Sequence, residues 1–352
     1  MLTEQQQDGH LLYYGPAKPK GLPRRLIHVN GMASDVKKQL RDLEALVWMT
    51  VEHPTDIVGV HNSTANFQSD LLESTLGGAD LVQHRADRQT PESQKRLRGY
   101  ADSLQALCDH ELPSDADILA AVQRLQRSLT VAEGQEKAQS PIDLELIRRL
   151  PFLQDMDLSA LESYLYGSYP AGAPRPTMRT AYEIIRAIRA GAEVLLVAHS
   201  QGTIITAVAL HIVKQLLGGE VWAKSLRFVG YGPVILFDDL PMEMRSQTIL
   251  IQHRQDLIAE SFSNQRNVDL WNNMQTQAKN LLEQADRIFQ MVSRDSHHSA
   301  SVYLGLTGDI AGDRSAQLIK QLLTENWENH PFIQGLRASR IILEEPETYI
   351  QP

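Results

Sequence analysis

Ser200 is flanked by Ala198-His199 on one side and Gln201-Gly202 on the other. The preceding Val194-Leu195-Leu196-Val197 reads as a buried strand, and the nearly continuous apolar run from Ile204 to Leu217 reads as a helix packed on both sides. No residues remain for a loop, so the chain must turn sharply and project the Ser200 side chain from the sheet edge. Gly202 suits such a turn because strand and helix approach too closely there for a Cβ, and Ala198 is small for the same reason. A serine hydroxyl is a weak nucleophile at neutral pH. It needs an imidazole to take its proton and a carboxylate to hold that imidazole. Carboxylates placed just beyond later strands are Asp256 and the adjacent pair Asp238 and Asp239.

The elements that must position these groups follow in chain order. Gly15-Pro16-Ala17-Lys18-Pro19-Lys20-Gly21 is a turn-rich, basic lead-in. Leu26-Ile27-His28-Val29 reads as the first strand and ends in Asn30-Gly31-Met32. A helix follows, with Val36, Leu40, Leu43 and Val47 at helical spacing and Ser34 placed to cap it. Ile57-Val58-Gly59-Val60 is a second strand, after which strand patterning stops. Helical spacing then recurs over 97–111, 114–129, 140–150 and 157–166, with Ser114 and Ser140 at N-cap positions and Pro141 opening its helix. We read 63–176 as a helical insertion, either a plain helical subdomain or a cap over the site.

Beyond the connector Gly172-Ala173-Pro174-Arg175-Pro176, Thr177 begins a helix that leads into the Ser200 strand. Leu226 to Pro233 and Thr248 to Ile251 read as later strands, Leu270 to Phe289 as mainly helical, and Ser315 to Leu323 as a further helix. Strands alternating with helices imply a parallel sheet with crossovers. The divisions expected are 1–62 and 177–330 for the core, 63–176 for the insertion and 331–352 for an acidic tail.

The 352 residues suffice for one large domain or two modest ones. A net charge of −9 argues against a surface built to neutralise phosphates, so nucleic acid is not an expected partner. Cys108 is the single cysteine, which excludes an internal disulfide. The polar start Met1-Leu2-Thr3-Glu4 lacks a secretion signal, and no run approaches the roughly 18 apolar residues of a membrane span, so a soluble, cytoplasmic chain is expected. No HExxH or paired CxxC pattern marks a metal site, and no cofactor is expected.

Ala198-His199-Ser200-Gln201-Gly202 resembles the nucleophile elbow of the α/β-hydrolase superfamily, Gly-x-Ser-x-Gly with alanine at the first position, in the form seen among lipase-like and esterase-like members. The resemblance implies an α/β fold with a mostly parallel sheet flanked by helices, and a triad in the order serine, acid, histidine. Asp256 stands where such an acid is expected, and Asp238 and Asp239 are fallbacks. Ser296-His297-His298-Ser299, followed by Tyr303-Leu304, resembles the segment bearing the base. His298 is preferred to His297 because a serine follows it directly. The family usually places a strand before this histidine, and here only 287–293 could supply one. The resemblance assigns the oxyanion hole to the amides of Met32 and Gln201, although Asn30-Gly31 replaces the family's His-Gly. The expected activity is hydrolysis of a carboxylic ester, with a small-molecule or lipid acyl substrate, through an acyl-enzyme. The competing expectation is a catalytically inactive scaffold or ligand-binding protein that keeps the fold.

Overall fold

In the computed structural model, the described residues are 8–14, 23–63, 67–85, 88–108, 112–130, 173–263, 297–308 and 310–343. Their strands are β1 (Leu11–Tyr13), β2 (Arg24–Val29), β3 (Asp56–Val60), β4 (Glu193–Ser200), β5 (Leu226–Pro233), β6 (Thr248–His253) and β7 (Ser339–Leu343). They form one sheet in the order β1-β3-β2-β4-β5-β6-β7. Only β1 runs antiparallel, pairing with β3; the other pairings are parallel. β4 lies at the centre. Its residues Val194 to Ser200 are all buried, as expected of a strand covered on both faces.

Side-chain alternation along β4 divides the core in two. Val194, Leu196 and Ala198 point to one face, where they join α5 (Pro174–Arg189) and α6 (Gln201–Leu217). Leu195 and Val197 point to the other, against α1 (Val36–Met49), α10 (Ile310–Thr324) and Trp327. The sequence expectation of a mostly parallel sheet with helices on both sides therefore holds.

Among the described residues, α2 (Phe67–His84), α3 (Pro91–Leu107) and α4 (Asp115–Thr130) lie wholly within 63–176. Leu81, Tyr100, Leu104, Ile118, Val122 and Leu125 belong to the same buried cluster as the α5 and α6 face of the sheet, so these helices extend that core. The expected helices over 140–150 and 157–166 lie outside the described residues, as do Ser140 and the whole of 264–296 with its expected helix and strand. Ser114 does meet α4 as expected: its Oγ accepts from the amide of Asp117, while Asp117 Oδ2 accepts from the amide of Ser114.

Several expected boundaries move. Asp35, rather than Ser34, caps α1 by accepting from the amide of Lys38 at 2.7 Å. α5 begins at Pro174 rather than Thr177, with prolines in its first turn where an amide hydrogen has no intrahelical partner. β2 starts two residues early, at Arg24, because Arg24 and Arg25 have partners in Glu193 and Glu183. The region expected as a tail holds α11 (Pro331–Leu336) and β7, whose residues pair with β6 from Ile249↔Ser339 to His253↔Leu343. Residues 331–343 thus belong to the sheet unit. The short helices α7 (Met242–Arg245), α8 (Leu257–Ser263) and α9 (Ala300–Tyr303) complete the described elements, with single 3-10 turns at Val221–Ser225 and Phe237–Asp239.

Candidate active site

β4 ends at Ser200 and α6 begins at Gln201, with no intervening residue. Ser200 takes φ 51°, ψ −126°, a left-handed conformation that costs a non-glycine residue about 1–3 kcal/mol and persists only where the surroundings enforce it. Close packing supplies that enforcement. A Cβ on Gly202 would lie 2.3 Å from the carbonyl oxygen of Val29 and 2.8 Å from that of Asn30. One on Gly31 would lie 2.6 Å from Ser200 Cβ. Thr203 Oγ1 donates to the Ser200 carbonyl at 2.6 Å and accepts from the amide of Val234 at 3.2 Å, tying the turn to the end of β5.

His298, 98 residues downstream, places its Nε2 2.7 Å from Ser200 Oγ. Its Nδ1 lies 2.8 Å from Asp256 Oδ1 and 3.0 Å from Oδ2. An ionised carboxylate only accepts, so Nδ1 carries the proton and donates, which leaves Nε2 to accept from the serine hydroxyl. Asp256 stands in the turn just beyond β6, after Arg254 and Gln255, and has 0% exposure, His298 has 8% and Ser200 has 3%. Burial pushes the Asp256 carboxyl up, yet the charge and hydrogen bond of His298, with the Tyr303 hydroxyl and the Ala259 amide, outweigh it and hold the carboxyl below its ordinary value.

These supports come from three separate elements. The Ala259 amide in α8 donates to Asp256 Oδ1 at 2.7 Å. Tyr303, the last residue of α9, donates its hydroxyl to Asp256 Oδ2 at 2.6 Å and accepts from the amide of His253 at 2.9 Å. Gly232, at the end of β5, has φ +52°, and a Cβ there would lie 3.2 Å from each of Asp256 Oδ2, His199 Nε2 and Tyr303 Cε2. Its lack of a side chain gives these three groups room to meet.

The turn after β2 lies against the serine. Met32 follows Gly31, and Ala33 next to it has φ 55°. The Met32 sulfur accepts from Ser74 Oγ of α2 at 3.2 Å. Gln201 is the first residue of α6, where helix amides lack intrahelical acceptors and the helix dipole favours negative charge. Asn30 locks the ends of β2 and β3 together: its Nδ2 donates to the carbonyl of Asn62 at 2.8 Å and its Oδ1 accepts from the Asn62 amide at 2.8 Å. Asn62 Nδ2 in turn donates to Gln201 Oε1 at 2.7 Å. Beside Gln201 a small recess lies between α2, α5 and α6, lined by Ile204, Ile205, Val208 and Ala173 and by Glu73, Asp80 and Thr177.

The sequence candidates therefore separate. Ser200, Asp256 and His298 come together in one hydrogen-bonded line. His297 is partly exposed next to the preferred histidine. The fallback acids lie elsewhere, with Asp239 paired to Arg85 at 2.8 Å and Asp238 to Arg245 at 3.0 Å. His28 and His61 are internal, bonded to the Tyr231 hydroxyl at 2.9 Å and to Gln39 Oε1 at 2.6 Å. Sequence reasoning missed Tyr303, Gly232, Asn62 and the contact His199 makes with the carbonyl oxygen of His298, at 2.7 Å from its Nε2. Only Tyr303 left a trace, in the Tyr-Leu pair that follows the histidines.

Among the described residues no helix is long and apolar enough to cross a membrane. No protein-family model, curated protein or solved structure matches the chain.

Proposed function

We propose that this chain is a serine hydrolase of the α/β-hydrolase kind, cleaving a carboxylic ester through an acyl-enzyme. The observation that carries the reading is the continuous line from Ser200 Oγ to His298 Nε2 at 2.7 Å and from His298 Nδ1 to Asp256 Oδ1 at 2.8 Å, on a serine held at φ 51°. Ser200 Oγ attacks the ester carbonyl carbon and its proton passes to His298 Nε2. Asp256 holds the ring and stabilises the imidazolium. The tetrahedral intermediate then collapses: the C–O bond to the alcohol breaks, and His298 returns the proton to the leaving oxygen. Water repeats the sequence on the acyl-serine and releases the acid.

The amides of Met32 and Gln201 are assigned to the oxyanion, each lowering the barrier by roughly 3 kcal/mol by comparison with measured oxyanion donors. The position of Gln201 at the start of α6, and of Met32 beside the glycine that touches Ser200, supports this. An acyl substrate of lipid character is the favoured class, on the resemblance of Ala198-His199-Ser200-Gln201-Gly202 to the elbow of lipase-like members. Turnover of p-nitrophenyl esters of increasing chain length tests the proposal. Hydrolysis that Ser200→Ala abolishes supports it, and a preference for longer chains supports the lipid class. No hydrolysis of any ester, or equal hydrolysis by Ser200→Ala, counts against it.

A further inference from the structure

We propose that His199 is a positioning residue for the base, its ring N–H fixing the main chain at His298 so that the His298 ring stays in line with Ser200 Oγ. The proposal rests on the hydrolase reading above. His199 Nε2 lies 2.7 Å from the carbonyl oxygen of His298, a contact spanning 99 residues of sequence. A carbonyl oxygen can only accept, so His199 must carry a proton on Nε2.

The surroundings keep it in that form. Burial, followed by the nearby charge of His298, pushes the His199 imidazole down to about 3, against smaller upward effects from its bond to the His298 carbonyl and from Asp256. His199 thus stays a neutral one-proton donor while the neighbouring base gains and loses its proton. The ring is held by contact as well as by burial. It stacks on Tyr231 at 5.1 Å and 28°, meets Tyr303 at 6.2 Å, and faces His298 at 5.0 Å. Gly232 leaves free the space beside Nε2 that a Cβ would invade.

The arrangement couples two parts of the site that sequence separates. His298 precedes a helix of only four residues, Ala300–Tyr303, so its backbone is not carried by a long element. β4 is a central strand buried on both faces, and it ends by presenting the nucleophile from one residue and an anchor for the base from the residue before it.

The test is the kinetics of labelling by a fluorophosphonate, resolved into the inactivation constant kinact and the binding constant KI, with thermal unfolding as a control for folding. His199→Phe keeps a ring for stacking and removes the donor; His199→Met removes both and serves if the Phe ring is not accommodated. His199→Gln keeps an N–H at similar reach. The expected result is kinact lowered about tenfold or more in the folded donor-less variant, the effect of losing about 1.4 kcal/mol of hydrogen bonding, with KI unchanged and most of the loss recovered in His199→Gln. Wild-type kinact in a folded donor-less variant overturns the inference, as does a Gln variant as slow as the Phe or Met variant, which would assign the effect to ring packing. A wild-type protein that does not label at Ser200 overturns the hydrolase reading itself, a different outcome from labelling that ignores position 199.

Discussion

The hydroxyl of Tyr303 donates to Asp256 Oδ2 at 2.6 Å while accepting from the amide of His253 at 2.9 Å, so one side chain joins the end of β6 to the carboxylate that orients His298. Both residues are fully buried, and the hydroxyl bond is among the effects that lower the Asp256 carboxyl against its burial. Tyr303→Phe keeps the ring and removes both hydrogen bonds. It should cost about 1–3 kcal/mol of stability and lower ester turnover roughly tenfold. Urea unfolding and turnover measured on the same preparation check this; a variant with unchanged turnover would remove Tyr303 from the site's support.

Ser200 occupies a backbone conformation that favours glycine. Ser200→Gly should therefore raise stability by about 1 kcal/mol while abolishing reactivity, whereas Ser200→Ala keeps the strained backbone and should show no such gain. Paired denaturation curves for the two variants decide the matter. Equal midpoints would mean that the turn is not strained at this residue.

The glycines packed around the serine should be intolerant of any side chain, each for a stated contact. In Gly31→Ala the new methyl meets Ser200 Cβ at 2.6 Å, and in Gly202→Ala it meets the Val29 carbonyl at 2.3 Å. Gly202→Ala opposes backbone that cannot move aside, so soluble expression should fail or stability fall by several kcal/mol, on the order of the cost of overpacking a core. Gly31→Ala should leave a folded protein with little labelling by an active-site probe. Normal labelling in Gly31→Ala would contradict the close approach of this turn to the nucleophile.

Stability should fall on acidification below about pH 6.5. Burial first of all lowers His28, His199 and His211 to about 3 and His61 to about 4, from an ordinary 6.5. The unfolded chain takes up these protons as the pH drops through 6.5 and the folded one does not, so their contribution is complete above 6.5 and is lost toward 3–4. Asp42 works in the opposite sense. Burial raises its carboxyl to about 7, so the folded state holds a proton that the unfolded state has released, and stability falls as the pH rises from about 4 to 7. With four imidazoles against one carboxyl, the acid loss should dominate among these groups, by a few kcal/mol between about pH 6.5 and 5. Asp42→Asn should stabilise the protein near pH 8 and change little near pH 4. Unfolding midpoints across pH read both effects, and a midpoint that rises on acidification would contradict the imidazole assignment.

The parts of the molecule legible in sequence are those whose local pattern is decided by burial on two faces. β2, β3, β4, β5 and β6 read as apolar runs because helices cover both sides of the sheet, and the Ser200 turn reads as a strand meeting a helix with no loop between them. β1 and β7 escaped for the converse reason. β1 has three residues, and β7 is a partly exposed edge strand whose pattern lacks a buried run. α2 escaped because Gly77 and Gly78 interrupt a poorly patterned segment. Asp256 and His298 were reached through resemblance to a triad order, and no spacing in the chain singles them out. The partners of Tyr303 and His199 lie 47 and 99 residues away, and nothing in a linear sequence announces a hydrogen bond across such a distance.

The central claim is that Ser200 is a nucleophile activated by His298 and Asp256. Its most direct test is the intact mass of the protein after brief exposure to a fluorophosphonate, with the modified peptide sequenced, in the wild type and in Ser200→Ala, His298→Ala and Asp256→Asn. The account predicts a single adduct on Ser200 in the wild type, none in Ser200→Ala, and formation slowed by orders of magnitude in the other two. An adduct on a different residue, or wild-type labelling rates without His298, would contradict it.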